Sequence, residues 1–498
     1  MSSDGDGNSI SSSLTEDDVK DELQRQPHLF MKLAENALTV AESLRGNYFK
    51  NTASFIADLR KAIRAAAEGK RPDQILKTES VGDADWSQFQ GEVVTFVDGG
   101  VGQAKLSSQV PILLRIGSYL VRTGERNLAE REQFGYYPVI LGDLEGGSKE
   151  RKDFIDIVRI TAELLGGLAA LDRNPDLDVL MFHGPLVYLV GSYAGHTPFT
   201  ENDIDIFLRH YASDPEKGKQ IKEEFLREAK LDIYPRMTDN FTEWIKLRVF
   251  EPLAFMAYLL RRLIYEAKKR KNMPLIAGVV ERNDSSKFID IILQRVFRGL
   301  SKNSKQDYFN DMHGRADLTS PKALIDKLGY KDALLLGMLL DPGQYTEPWT
   351  TDKYQSLHTG QLTLPRKSVK EPVDFTSLKP SDTGFPSVRA CYVQVSKTTD
   401  PIRVETFEEL GEDQIAEAAR RVYLYSRLLP GYGFPVGLDI ADKYSHVPNW
   451  LTEAYGKLIR YHLGVSLQSG EISDAEMRRI LVQAIYMTNR DWLFRPKS

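Results

Sequence analysis

Three residues able to bind a metal stand where a folded sheet would present them. Asp98 closes a short apolar run, EVVTFVDGG, directly before Gly99 and Gly100. Glu163 lies within an amphipathic stretch, and His183 ends a second apolar run, VLMFHGPL, twenty positions later. A carboxylate at the C-terminal edge of a central strand can face a shared metal, and neighbouring glycines let a metal or phosphate approach the backbone. Each residue also has a commoner use when taken singly. Asp98 reads as a strand-end turn, Glu163 as a solvated helix face, and His183 as a satisfied core or turn position. No compact motif offers a different chemistry. The phosphate-binding P-loop, the dinucleotide-binding Gly-rich turn, the HExxH zinc pattern and the GxSxG nucleophile elbow are all missing. Any catalysis must come from dispersed acids and histidines.

Composition bounds the rest. At 498 residues the chain has room for two to four domains, or one large domain with insertions. With 42% hydrophobic residues it can build a packed core, which excludes wholesale disorder. No run reaches the ~18 apolar residues of a membrane span, and the polar, acidic start MSSDGDGNSISSSLTEDD has no secretory character. Cys391 is the single cysteine, so intrachain disulfides and multi-cysteine zinc sites are excluded. A soluble, cytoplasmic protein is expected. The net charge of −5 argues against a continuous basic face. Nucleic-acid binding would have to rest on local patches, bound cations or a partner.

The elements that must position these residues alternate in type. Residues 1–13 read as a disordered lead, and 14–85 as a helical module. That module opens with Thr15 as N-cap and continues over 28–69 with Leu33, Ala37, Leu38, Ala41 and Leu44 at helical spacing. Strands are expected at 92–98, 110–121, 179–186, 203–208, 274–281, 388–396 and 401–407. Helices are expected at 149–171, 240–271, 285–298, 322–340, 413–428 and 436–445. Strands interleaved with helices make an α/β sheet domain, divided as 86–299 and 386–450. A mid-chain insertion at 300–385 separates the two parts, and a helical tail follows at 451–498.

In this order and spacing, the chain resembles the NurA family of DNA-end-processing nucleases. The family's first-strand Asp-Gly-Ser is matched by Asp98-Gly99-Gly100, its helical glutamate by Glu163, and its second strand end by His183-Gly184-Pro185-Leu186. An Arg-x-Glu strand is matched by Arg403-Val404-Glu405, and a Leu-Leu-x-Pro-Gly loop by Leu339-Leu340-Asp341-Pro342-Gly343. The C-terminal Gly-Tyr-Pro helix is matched from Gly433-Phe434-Pro435 to Asp442. Where the family has aspartate this chain has His183, and where the family has histidine it has Asp442. An exchange of this kind leaves the ligand inventory unchanged.

The resemblance implies an RNase H-like mixed sheet flanked by helices. It implies metal-dependent hydrolysis of DNA, both exonucleolytic and on single strands, with Asp98, Glu163, His183 and Asp442 as catalytic metal ligands. It also implies a homodimer working with a HerA-type hexameric ATPase, in repair or phage defence. His446, one helical turn after Asp442, is expected to offer a second imidazole. An imidazole in the ligand set favours Mn²⁺ over Mg²⁺. Arg261, Arg262, Lys268, Lys269, Arg270 and Lys271 form a basic run that can contact phosphate or serve a helix C-terminus. Arg478, Arg479, Arg490, Arg495 and Lys497 form a second basic patch. Tyr136, Tyr137 and Trp349 are candidates to stack on bases or to pack internally. Glu201, Asp203 and Asp205 read as a solvated strand edge or further metal ligands. A second functional reading is a NurA-like scaffold of little activity that docks the ATPase or recognises DNA.

Overall fold

The computed structural model describes residues 25, 27–70, 75–104, 112–141, 148–187, 199–211, 215–228, 249–250, 252–281, 285–298, 320, 325–326, 329–350 and 386–486. The chain forms two compact units. One comprises Met1–Ile75, Asp290–Gly329 and Asn489–Ser498, the other Leu76–Ile289 and Tyr330–Thr488.

In the smaller unit, α1 (Pro27–Ser43) and α2 (Lys50–Ala65) run on through a π-helical turn, Leu44–Phe49. Phe55, Ile56 and Leu59 of α2 are buried, whereas Met31, Leu33, Leu38 and Val40 of α1 are exposed. The helix start expected at Thr15 lies outside the described residues.

The larger unit is built on one mixed sheet. Its strands are β1 (Thr78–Ser80), β2 (Val93–Gln103), β3 (Ile112–Arg122), β4 (Glu132–Leu141) and β5 (Val179–His183). A separate small pair follows, β6 (Phe199–Thr200) with β7 (Val249–Phe250). The main sheet continues with β8 (Leu275–Val280), β9 (Gln344–Thr346), β10 (Trp349–Thr350), β11 (Val388–Val393) and β12 (Ile402–Phe407). The strand order is β1, β9, β11, β12, β8, β5, β2, β3, β4, with β10 also on β11. Strands β2, β3 and β4 form an antiparallel meander; β5 then returns parallel to the other side of β2, and β8 lies parallel beyond it. This is the RNase H-like order. It places a topological switch point between the carboxyl ends of β2 and β5, where ligands of open α/β sheets bind.

The helices are α3 (Ser148–Arg173), α4 (Glu201–Tyr211), α5 (Pro215–Glu228), α6 (Pro252–Lys268), α7 (Lys287–Arg298), α8 (Asp332–Leu339), α9 (Gln414–Tyr425), α10 (Val436–Ser445), α11 (Asn449–Gln468) and α12 (Ala475–Tyr486). A single helical turn, Leu128–Arg131, precedes β4. Both sheet faces are covered, which is why the central strands read as continuous apolar runs. On one face Val93, Val97, Leu180, Phe182 and Ile276 join residues of α3 and α6 in a core. On the other, Val94, Phe96, Val179, Met181 and Ala277 pack with α9 and α10.

Three expectations change. Strand β2 continues through Gly99 and Gly100, because β3 pairs along its whole length. The expected strand at 203–208 is α4: Ile204, Phe207 and Leu208 are buried at three- and four-residue steps, a helical period that outweighs the short alternation. The expected long helix at 240–271 begins, among the described residues, at Pro252, where proline fits the first helical turn. Much of 300–385 lies outside the described residues. Of the part described, β9 and β10 pair into the main sheet.

Candidate metal centre and nucleic-acid contacts

The parallel pairing of β2 with β5 ends at Val97 and Phe182, so Asp98 and His183 are the next residues on adjacent strands. Alternation along the strands puts Asp98 on the same face as Phe96, and His183 on the same face as Met181. That is the face covered by α10, which brings Asp442. One ligand atom from each of Asp98, His183 and Asp442 lies within 4.8 Å of the others. The site grades from buried Asp98 through half-buried His183 to exposed Asp442. It therefore has a closed floor and an open mouth.

Two glycines let α10 lie directly on the strands. A Cβ at Gly100 would stand 2.0 Å from the Ser445 carbonyl oxygen, and one at Gly117 would stand 2.7 Å from that of Ala441. Gly100 thus admits a helix backbone, where the sequence suggested room for a metal or phosphate.

Glu163 arrives from the opposite face, on α3. A Cβ at Gly99 would meet its Oε1 at 2.5 Å, so glycine here lets the carboxylate close against β2 beside Asp98. Glu163 is buried and bonded by the Arg159 guanidinium one turn earlier on the helix. It lies behind the Asp98, His183 and Asp442 group rather than within it.

The electrostatics are those of crowded acids. Burial raises the Glu163 carboxyl to about 7; Arg159 opposes this and Asp98 adds to it. Burial and then the neighbouring Asp98, through its charge and a shared hydrogen bond, raise the Asp442 carboxyl, while His183 works the other way. His183 Nδ1 is 3.3 Å from Asp98 Oδ2. Burial disfavours the imidazolium, but the hydrogen bond and charge of Asp98, followed by Asp442 and Glu163, outweigh it and raise the His183 value. Three carboxylates therefore face one guanidinium and one imidazole. That donor set, with negative charge left over, suits a divalent cation.

Several residues around the site were not singled out in the sequence. Ser445 Oγ donates to the Asp442 carbonyl oxygen at 2.8 Å and lies 3.4 Å from Asp98 Oδ2. The Phe434 ring packs 5.3 Å from the His183 ring. Arg159 had a usable signal, its four-residue spacing from Glu163, and Phe434 stood within the Gly433-Phe434-Pro435 match without a role of its own; Ser445 had none. His446 does not join the group: α10 ends at Ser445, and the chain leaves the helical face there.

The basic run lies elsewhere. It ends α6 and precedes β8, at the amino edge of the parallel strands, while the acids lie at the carboxyl edge. Arg262 pairs with Glu224 and Glu266, Lys268 with Glu409, and Arg270 donates to the carbonyls of Leu171 and Asn174. Lys269 sits over the Tyr265 ring, Lys271 is exposed, and Arg261 is half-buried. Trp349 packs against Phe288 and Tyr392, at 4.5 and 5.5 Å between rings. Tyr136 and Tyr137 lie in β4, and their side chains fall outside the described residues, as do Glu201's side chain and Arg490, Arg495 and Lys497. Asp205 pairs with Lys222 at 2.7 Å, and Arg478 and Arg479 are exposed on α12. Among the described residues, no helix is long and apolar enough to cross a membrane.

Comparison with known proteins adds the family. No curated protein sequence matches. The crystal structure of the NurA nuclease from Sulfolobus solfataricus aligns with 14% identity and a TM-score of 0.42, covering 86% of this chain and 98% of that one. A NurA structure with manganese aligns with 11% identity and a TM-score of 0.35, covering 82% and 96%. One bound to dAMP and manganese aligns with 11% identity and a TM-score of 0.32, covering 85% and 92%. The NurA domain model matches residues 92–447, from just before Asp98 to just after Asp442. The chain belongs to the NurA family.

Proposed function

We propose that this chain is a metal-dependent deoxyribonuclease that processes DNA ends, acting as an exonuclease and as a single-strand endonuclease. The observation that carries the reading is the convergence of Asp98, His183 and Asp442 within 4.8 Å at the switch point of an RNase H-like sheet. Asp98, His183 and Asp442 would hold the metal, and Glu163, behind them on α3, would join as a further carboxylate. When bound, divalent metal supplies charge neutralisation at the phosphate and eases deprotonation of water near neutral pH. The chain's own contribution is orientation. Asp98 is fixed on the sheet, Asp442 on a helix seated against glycines, and Glu163 is held in reserve by Arg159.

The imidazole argues for Mn²⁺ over Mg²⁺. Equal or better activity with Mg²⁺ would overturn His183 as a ligand. The protein acts in the cytoplasm on DNA delivered by a HerA-type hexameric ATPase, in repair or phage defence. It does so as a homodimer, a state supported by exposed Trp450, Leu458 and Tyr461 on α11 and Met477 and Ile480 on α12. Linear and single-stranded DNA incubated with the purified chain and Mn²⁺, with and without the ATPase, tests the reading. Cleavage is expected to be abolished by Asp98→Ala. Absence of cleavage under every condition, with partner binding intact, would replace it with the scaffold reading.

A further inference from the structure

We propose that Glu405 is a positioning residue of this metal centre. It fixes the turn that carries His183 and acts on the metal only through that imidazole. The inference rests on the nuclease reading of the site. Glu405 lies on β12, pairs across the sheet with Gly278 of β8, and Gly278 pairs in turn with Phe182 of β5. The middle residue of this row has no side chain, and the segment His183-Gly184-Pro185-Leu186 folds down over the space. A Cβ at Gly278 would stand 2.7 Å from the Gly184 carbonyl oxygen and 2.8 Å from the Leu186 nitrogen. Gly184, at φ 121°, makes a turn that residues with a side chain rarely adopt.

Two hydrogen bonds pin this turn on either side of Pro185. The Gly184 N–H donates to the Val279 carbonyl at 2.8 Å, and the Leu186 N–H donates to Glu405 Oε2 at 2.9 Å. The other oxygen of Glu405 is held by Arg403, two residues earlier on the same strand face. Arg403 is 4% exposed and Glu405 1%. A buried ion pair is costly to desolvate, and a well-packed apolar pair serves a sheet equally well. An apolar pair cannot accept the Leu186 N–H, which would otherwise be buried without a partner, a costly loss for a backbone donor. The pair is thus placed to orient the segment that begins with His183.

The test is Mn²⁺ and Mg²⁺ binding to the purified full-length chain, measured by calorimetry beside melting curves, for Glu405→Ala, Glu405→Gln and Asp98→Ala. Glu405→Ala should weaken Mn²⁺ binding roughly tenfold, as loss of a ligand-orienting partner does. It should weaken Mg²⁺ binding less, so the preference for Mn²⁺ falls, because imidazole contributes more to Mn²⁺. Glu405→Gln keeps an oxygen to accept the Leu186 N–H and should stay within about threefold of the parent. Parent-like binding by Glu405→Ala, or equal losses for both metals with no rescue by glutamine, would overturn the proposal. If Glu405→Ala does not fold, Gly278→Ala crowds the same turn with the ion pair intact: a lowered Mn²⁺ preference supports the proposal and an unchanged one overturns it. Asp98→Ala separates the two levels. If it binds Mn²⁺ like the parent, the metal centre falls and the proposal with it; if only Asp98→Ala loses binding, Glu405 alone is excluded.

Discussion

The two edges of the parallel strands β2, β5 and β8 carry opposite charge and differ in how much of it is balanced. At the amino edge, α3 and α6 end, and their C-terminal carbonyls favour cations. Arg270 bonds two such carbonyls, Arg262 faces Glu224 and Glu266, and Lys217 lies 2.5 Å from Asp172, around a cavity of about 690 Å³. At the carboxyl edge, Asp98, Glu163 and Asp442 share one guanidinium and one imidazole. Clustered charge is common on proteins. What marks a site is charge that the fold brings together and leaves unbalanced.

The largest effects beyond loss of Asp98 should come from the exchanged pair. His183→Asp places a third acid beside Asp98 and Asp442, and Asp442→His leaves two imidazoles and removes an acid. Each single change should lower cleavage with Mn²⁺ roughly tenfold or more. The double change restores the inventory and should return to within a few-fold of the parent, a coupling that a double-mutant cycle measures directly. Additive losses would mean that the two side chains do not share one ligand set.

Gly100→Ala should come next, because it attacks the carboxyl edge without touching a charge. Its Cβ would enter the Ser445 carbonyl, so α10 must move away from β2 and take Asp442 with it. Overpacking of this kind costs about 1–3 kcal/mol. Thermal melting should record that loss, and Mn²⁺ binding should weaken more than melting alone explains. Gly464→Ala, on α11 with open space around its Cα, is the matched control.

Much of this was legible in the sequence, for physical reasons that differ by element. The central strands announced themselves because burial on both faces demands nearly continuous apolar runs, as in Val93–Val97, broken only by Thr95, and Val179–Phe182. Asp98, His183 and Asp442 were grouped through the order and spacing of motifs shared with the NurA family, in which His183 and Asp442 stand as exchanged types. The α4 segment misled because Asp203-Ile204-Asp205-Ile206 alternates over four residues, while its burial follows Ile204, Phe207 and Leu208. The Leu186 bond to Glu405 was invisible, since 219 residues separate its partners and only the sheet order joins them. The basic run was visible as charge, but its place at the amino edge depends on which end of β8 it precedes.

The carboxyl edge also carries a response to pH. Glu163 ionises at about 7 in the folded chain against an ordinary 4.5, so between those values the folded state holds a proton that the unfolded state has lost. Stability contributed by that difference therefore falls as pH rises through the window. His183 acts in the same direction: its raised value stabilises the fold while it is protonated, and the benefit is lost as pH climbs past the folded value. The metal-free chain should melt lower at about pH 8 than at about pH 5.5, and Mn²⁺ should raise the melting temperature more at the higher pH, where the ligands are deprotonated. Glu163→Gln should flatten the metal-free trend. An Mn²⁺ shift larger at the acid end would contradict the carboxylate site.

The smallest effects belong to the amino edge, where the members of the basic run divide by exposure. Lys269 and Lys271 are exposed and able to reach phosphate, while Arg262 and Arg270 are half-buried and bonded within the fold. Lys269→Gln with Lys271→Gln should weaken DNA binding a few-fold, uniformly across sequences, and lower the salt slope by about 0.9 for each duplex phosphate that is no longer neutralised. Arg270→Gln should instead lower the melting temperature, because it uncovers the Leu171 and Asn174 carbonyls. Filter-binding titrations at several salt concentrations, read beside melting curves, distinguish the two kinds of cation. An unchanged salt slope in the lysine variant would remove Lys269 and Lys271 from any DNA contact and leave the carboxyl edge as the surface to test.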